Sequence, residues 1–182
     1  PAVVWTDSIT IGGDVEGDAQ LVGDGVYEIT GSGADVWGTS DQFHYLYKDL
    51  TGDGSISCRV TDFGTGSNTW AKGGVMIRET LDADSKHAIM CMTGGSGEGI
   101  SFQGRVTGVG AGSTGMHSDI TAAPPQWVKL TREGNTFTAY YSADGVAWEL
   151  FTDTTPDAGH ANPIDIEMAE SVKIGLFVTS HA

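Results

Sequence analysis

The chain has 182 residues, and its 24 acidic residues outnumber its nine Lys and Arg residues, so the formal net charge is −15. Proteins that bind nucleic acids need a cationic surface against the phosphates, so this charge argues against a nucleic-acid partner. It also disfavours anionic membranes, and no apolar run reaches the roughly 18 residues of a membrane-spanning helix, so we expect no membrane insertion. The acidic charge fits a secreted protein in an extracellular or cell-surface setting.

The hydrophobic content of 39% is ordinary for a globular protein, whereas 27 glycines spread without a period indicate many tight turns. All-β sandwiches of this length are often single domains, so we expect residues 1–182 to form one module. The chain begins with Pro1-Ala-Val-Val-Trp5 and stops just after a strand-like run. We therefore expect a module excised from a larger secreted protein, whose other domains would be its partners.

Two cysteines, Cys58 and Cys91, are present, and neither belongs to a CxxC pair. They do not form a zinc site. They are either joined in one disulfide or buried as two thiols, and the sequence slightly favours thiols.

Four aspartates are candidate calcium ligands. The glycine-spaced acidic loop 12–18 contains two of them, and two more lie further along the chain. Calcium takes six to eight oxygen ligands from flexible backbone, which suits such loops. The spacing does not match an EF-hand, and a solvated turn is the alternative interpretation. The predicted ligands of a structural calcium ion are Asp14, Asp18, Asp35 and Asp41.

Residues 33–47 are unusually rich in aromatic and acidic side chains. We expect two extended segments, 34–37 and 42–48, joined by a tight connection of small polar residues. Phe43, Tyr45 and Tyr47 alternate and therefore share one strand face. Because His44 lies between them, beside the two aspartates of this stretch, it is a further candidate contact for an ion or ligand.

The rest of the chain is a series of short strand patterns separated by glycine-rich turns. Residues 55–62 alternate apolar and polar side chains, and 127–133 with 136–142 form the clearest hairpin. About a dozen strands without a convincing amphipathic helix predict an all-β, antiparallel two-sheet sandwich. The glycine-rich segment 108–115 is the longest featureless loop, a kind that is often functional or mobile.

Strand alternation also selects candidate sugar contacts. Aromatic rings stack on sugar faces, while amides, carboxylates and guanidinium groups hydrogen-bond hydroxyls in pairs. If the strands around residues 76–78, 103–105 and 177–181 are neighbours, their side chains face one concave sheet surface. The alternative is that the two arginines simply pair with acidic neighbours. The predicted ligand-binding residues are Trp70, Met76, Arg78, Gln103, Arg105 and His181, with Trp70 as the main stacking residue.

Several motifs, in the same order, resemble a bacterial family of concanavalin A-like (LamG-type) β-sandwich modules. They are Gly33-Ala-Asp-Val-Trp-Gly-Thr-Ser-Asp-Gln-Phe-His-Tyr45, Trp70-Ala-Lys-Gly-Gly-Val-Met-Ile-Arg78, Ile100-Ser-Phe-Gln-Gly-Arg105 and Tyr140-Tyr-Ser-Ala-Asp-Gly-Val-Ala-Trp148. The resemblance implies a jelly roll of two antiparallel sheets, of the kind often appended to secreted polysaccharide-degrading or surface proteins. It transfers no ligand or catalytic set to this chain.

A catalytic role is disfavoured. Glucanases of the same jelly-roll class use a strand reading Glu-x-Asp-x-Glu, and here Pro163-Ile-Asp-Ile-Glu167 has proline in place of the first carboxylate. A retaining hydrolase needs a pair of carboxyl groups, so no catalytic residues are assigned. We expect a non-catalytic, lectin-like module that binds polysaccharide on a concave sheet face. The alternatives are a structural or adhesive module without a glycan ligand and a glycoside hydrolase or lyase with an atypical site.

Overall fold

A computed structural model describes residues 3–64, 68–94, 99–117 and 122–182. Within these ranges the protein is all-β and has fourteen strands. They are β1 (Asp7–Ile11), β2 (Asp18–Gly23), β3 (Val26–Thr30), β4 (Phe43–Thr51), β5 (Gly54–Val60), β6 (Lys72–Arg78), β7 (His87–Thr93), β8 (Ile100–Arg105), β9 (Thr114–His117), β10 (Gln126–Glu133), β11 (Thr136–Ser142), β12 (Glu149–Leu150), β13 (Ile164–Asp165) and β14 (Ser171–Thr179).

The strands form two main antiparallel sheets and one separate hairpin. The larger sheet has seven strands in the order β1-β4-β14-β6-β7-β8-β9. The smaller sheet has the order β12-β11-β10-β5, with β13 paired to β11, and β2 pairs with β3 alone. The expected all-β antiparallel class is confirmed, and the two sheets pack in a sandwich-like arrangement.

The main core lies between the two sheets. Alternate side chains of β6, β7 and β8 point inward from the larger sheet, and those of β10 and β11 point inward from the smaller one, as strand geometry requires. Burying each such side chain stabilises the fold by about 1.5–3 kcal/mol relative to exposure. The buried members include Val75, Ile77, Met90, Phe102, Val128, Leu130 and Phe137.

The opposite face of the larger sheet is also buried. A second apolar cluster lies there, and segment 31–42 contributes Val36 to it from above. The expected strand at residues 34–37 is therefore wrong, since this stretch is an irregular segment that covers the sheet. Burial on both faces also explains why every residue of β6, β7 and β8 is buried instead of alternating.

Other predicted elements are found where expected. The 127–133 and 136–142 hairpin is present as β10 and β11, with Trp127 opposite Ser142 and Glu133 opposite Thr136. The glycine-rich loop is shorter than predicted, because β9 already begins at Thr114. None of the described residues forms a helix that is long and apolar enough to cross a membrane.

Candidate functional site

Strand register brings the predicted site residues onto one face of the larger sheet. Arg78 on β6 lies opposite His87 on β7, which lies opposite Arg105 on β8. One row further along, Met76 and Gln103 lie on either side of Ile89. The expected neighbourhood is therefore correct for β6 and β14, which are adjacent, whereas β7 lies between β6 and β8. All of these side chains point toward the covering segment 31–42 and not toward the main core.

A buried ion network centred on Asp41 occupies one half of this face. Arg105 donates to both Asp41 oxygens, with Nη1–Oδ2 2.9 Å and Nη2–Oδ1 2.6 Å, and Arg78 Nη1 donates to Oδ2 at 3.3 Å. Nδ1 of His87 lies 3.4 Å from Oδ2. The side chains of all four residues are 0% exposed.

Burial and charge act in opposite directions on this network. Burial alone would raise the pKa of the Asp41 carboxyl, but attraction to His87, Arg105 and Arg78 outweighs it and holds that pKa well below its usual range. Burial lowers the pKa of His87 despite the adjacent carboxylate. Asp41 is therefore ionised at pH 7 and paired with two guanidinium groups.

The two arginines fasten loops onto the sheet. Arg105 donates to the Gly38 carbonyl at 3.0 Å and to the Ser85 carbonyl at 3.0 Å, and Arg78 Nε donates to the Thr80 carbonyl at 2.7 Å. These contacts join segment 31–42 and the β6–β7 connection to the sheet.

This placement corrects the predicted ligand set. Met76, Arg78 and Arg105 are each 0% exposed and none of them lines an open cleft, so a ligand has no access to them in this structure. Buried arginines keep their charge only where partners replace water, and Asp41 together with backbone carbonyls does so here. We therefore assign Arg78 and Arg105 a positioning role, and Met76 a packing role in the second apolar cluster.

The other half of the same face is an open cleft of about 270 Å³. It contains three of the predicted ligand residues, Trp70, Gln103 and His181, and one predicted calcium ligand, Asp35. The residues lining it come from segment 31–42, from β6, β8 and β9, and from the segments next to β6 and β14. They are Asp35, Trp37, Trp70, Lys72, Gln103, His117 and His181.

Lys72 lines the cleft and contacts three of the other lining residues. Its ammonium group binds the Asp35 carboxylate. The same Nζ atom lies 5.7 Å from the Trp37 ring centroid and 5.8 Å from that of Trp70, within cation–π range of both. The Lys72 side chain is only 2% exposed, whereas that of Asp35 is 21% exposed. Lys72 thus fixes one carboxylate and two indole rings at the cleft.

Gln103 and His117 extend the polar surface of the cleft through Ser101. Gln103 Nε2 donates to Ser101 Oγ at 2.9 Å, and His117 Nδ1 lies 2.9 Å from the same oxygen. The His117 ring meets the Trp70 ring edge to face, with centroids 5.2 Å apart. In the described part of the chain, the buried Gln103 Oε1 atom has no hydrogen-bond partner.

His181 lies beside Asp35, with Nε2 3.4 Å from Asp35 Oδ2. Its φ angle is 57°, the left-handed region that non-glycine residues seldom adopt. Such backbone strain persists only where surrounding contacts impose it. Here Ser180 Oγ and the Ala182 amide both donate to the Gly33 carbonyl, at 3.4 Å and 3.2 Å. These bonds hold the histidine next to the covering segment.

The four predicted calcium ligands do not come together. Asp35 and Asp41 are paired with Lys72 and with arginines, while Asp14 and Asp18 are exposed near the β1–β2 connection. Gln20 donates to Asp18 at 2.7 Å. Across the described ranges, no three His, Cys, Asp or Glu side chains are grouped closely enough to hold a metal ion.

The glucanase-like stretch also lies apart from the cleft. Ile164 and Ile166 are buried in the main core, whereas Asp165 and Glu167 are exposed. Of the residues that line the cleft in the described structure, Asp35 is the single carboxylate. A carboxyl pair of the kind that glycoside hydrolysis requires is therefore not assembled there by described residues.

Three cleft residues were not predicted from the sequence: Trp37, Lys72 and His117. Lys72 could have been found by alternation, since it shares a strand face with Met76 and Arg78. His117 follows the glycine-rich segment, a kind of loop that is often functional or mobile. Trp37 could not have been assigned, because its position depends on how segment 31–42 folds back over the sheet.

No protein-family model matches the chain, and no curated protein matches it. Among solved structures, a functionally unknown protein from Saccharomyces cerevisiae is similar, with a TM-score of 0.58 and 14% sequence identity. The similarity covers 84% of this chain and 76% of that chain. At this level of identity it bears on the fold alone.

Proposed function

We propose that the protein is a non-catalytic carbohydrate-binding module of concanavalin A-like jelly-roll type, which holds sugar in the cleft between Trp37 and Trp70. The observation that carries the proposal is the combination of two indole rings with a fixed Lys72–Asp35 pair in one open cleft. Pyranose rings stack on indole faces, and adjacent hydroxyls accept from an ammonium group and donate to a carboxylate.

The net charge of the cleft favours a neutral sugar. The positive charge of Lys72 is balanced by the negative charge of Asp35, and Gln103 adds an amide that both donates and accepts. Trp70 lies two residues before β6 and is half-buried, so a ligand has access to part of this residue. The proposal places the module outside cells, where it would hold its parent protein on polysaccharide.

Affinity electrophoresis on a panel of neutral and acidic polysaccharides tests this function. We expect retardation by at least one neutral polysaccharide, and its loss in Trp70→Ala and Trp37→Ala. Trp148→Ala is the matched control, because Trp148 packs against Lys129 and Trp127 on the smaller sheet. Equal retardation of all three variants would place the sugar elsewhere.

Two outcomes of these experiments would favour one of the alternative functions instead. If no polysaccharide retards the protein, the structural or adhesive alternative is favoured. If stoichiometric protein releases reducing ends from a bound polysaccharide, the protein is an enzyme with an atypical site.

A further inference from the structure

The face of the larger sheet that carries the cleft is blocked over most of its area. Tyr45, Arg78, Arg105 and Phe177 all lie on this face, and each is 2% exposed or less. The Asp41 network holds segment 31–42 and the β6–β7 connection over this face. In the described structure a long polysaccharide therefore has no groove along the Arg78–His87–Arg105 row.

The cleft occupies the part of the face that segment 31–42 and the β6–β7 connection leave open. It lies near the start of β6, where Lys72 pairs with Thr179 on one side and Thr93 on the other. Its volume of about 270 Å³ is below the roughly 300–1,000 Å³ of pockets for drug-sized ligands. That volume suits one or two sugar units better than a longer segment.

Gln103, one of the residues that line the cleft, has an unused hydrogen-bond acceptor among the described residues. Gln103 is 0% exposed, and among the described residues its Oε1 has no donor. A buried acceptor without a partner destabilises the fold, and a ligand hydroxyl that donates to it would remove this cost. An internal sugar has a neighbour on each side, so it reaches a recessed atom less easily than the end of a chain does.

We propose that the cleft recognises the terminal sugar of a neutral glycan and not an internal segment. This inference rests on the proposed function and adds the part of the glycan that is bound. A terminal hydroxyl donates to Gln103 Oε1, and a neighbouring pair of hydroxyls meets Lys72 and Asp35. The rest of the glycan leads out of the cleft past the tryptophans.

Calorimetric titration with oligosaccharides of one to six units, prepared from a polysaccharide that binds, tests the inference. We expect Kd to change less than about threefold beyond two units, since further units lie outside the cleft. A tenfold or greater gain between two and six units would overturn chain-end recognition while leaving sugar binding intact. If no oligosaccharide or polysaccharide binds, both proposals fail.

End modification identifies which terminus is bound. Reducing the reducing end to an alditol should abolish binding if that end enters the cleft, and leave it unchanged if the other end does. Capping both ends should abolish binding in either case. Undiminished binding of the doubly capped chain would overturn the inference.

The role of the buried acceptor is tested separately with Gln103→Met, which preserves side-chain length and removes Oε1. We expect at least a tenfold loss of affinity for the shortest ligand that binds. Gln126→Met is the control, because Gln126 donates to the Ser142 carbonyl on the smaller sheet. Unchanged affinity in Gln103→Met, with wild-type melting behaviour, would show that this atom does not contact the ligand.

Discussion

Gly175 lies within β14, where the adjacent strand leaves no room for a side chain. A Cβ atom at this position would lie 2.1 Å from the Leu46 carbonyl oxygen and 2.9 Å from a ring carbon of Tyr45. The first of these atoms is backbone in a paired strand, so it cannot move aside cheaply. The glycine is thus required by close packing of β4 against β14.

We expect Gly175→Ala to lower the free energy of unfolding by at least about 3 kcal/mol, at the upper end of overpacking costs. Urea-induced unfolding followed by tryptophan fluorescence measures the change. Gly112→Ala is the control, since a Cβ atom there meets nothing within 4 Å and should cost no more than about 0.5 kcal/mol. Equal stability of the two variants would contradict the role given to Gly175.

For single residues, hydrogen bonds within a turn could be predicted from the sequence, whereas contacts between residues distant in sequence could not. The turn at Ser142 and Asp144 follows from side chains that accept bonds from nearby amides, and Asp144 Oδ1 does accept from Val146 at 2.8 Å. By contrast, the pairing of Asp41 with Arg105 joins residues 64 positions apart. No local pattern distinguishes that aspartate from a calcium ligand.

Segment 31–42 is the element on which the cleft depends. It supplies Asp35 and Trp37 to the cleft, and Asp41 fixes its far end to the sheet. Its own backbone has little regular structure, so its conformation comes from these attachments. Weakening one attachment should therefore affect both stability and ligand binding.

We expect Asp41→Asn to lower the free energy of unfolding by about 3–5 kcal/mol, because two guanidinium groups lose their buried counter-charge. Thermal and urea unfolding measure this cost. Asp49→Asn is the control, because Asp49 is exposed and its pair with the half-buried Lys173 should be worth no more than about 1 kcal/mol. Similar costs for the two variants would contradict the proposed anchor.

The pH dependence of this difference follows from the lowered pKa of Asp41. A carboxyl whose pKa is lowered in the folded state stabilises the fold above its ordinary value, here 3.8, and loses that effect on further acidification. The difference in the free energy of unfolding between wild type and Asp41→Asn should therefore be constant from pH 7 to 5 and become smaller below about pH 4. A gap that narrowed already at pH 6 would point to a different group.

The sheet order could be only partly anticipated from the strand patterns. The β10–β11 hairpin is local and was predicted, but β14 inserts between β4 and β6, far from both in sequence. Burial of the larger sheet on both faces also removed the alternation that would have marked β7. The all-β antiparallel class could be predicted from the sequence. Burial of the second face of the larger sheet could not, because it depends on contacts between residues that are distant in sequence.

For the molecule as a whole, three buried histidines make stability depend on pH. Burial lowers the pKa of His44, His87 and His160, the last to about 4. The unfolded chain binds protons near the ordinary value of 6.5, and the folded chain does not, so stability is greatest above that pH. Acidification from pH 7 should therefore destabilise the protein well before its carboxylates titrate.

The variant His160→Gln tests how much one of these histidines contributes to the pH dependence of stability. We expect wild type to lose about 1 kcal/mol more than the variant between pH 7 and 5.5, since one proton-binding difference is removed. Chemical denaturation at each pH gives the comparison, and between pH 7 and 8 the two slopes should agree. Parallel curves down to pH 5.5 would show that His160 does not contribute.

The attachments of segment 31–42 have a kinetic consequence. Thr179 donates to the carbonyls of Gly33 and Gln42, and Arg105 donates to Gly38, so the segment is held by residues far away in sequence. Contacts of such long range form late, because loop closure must precede them. The cleft should thus be absent from the folding transition state. A bound glycan would then slow unfolding and leave the folding rate unchanged.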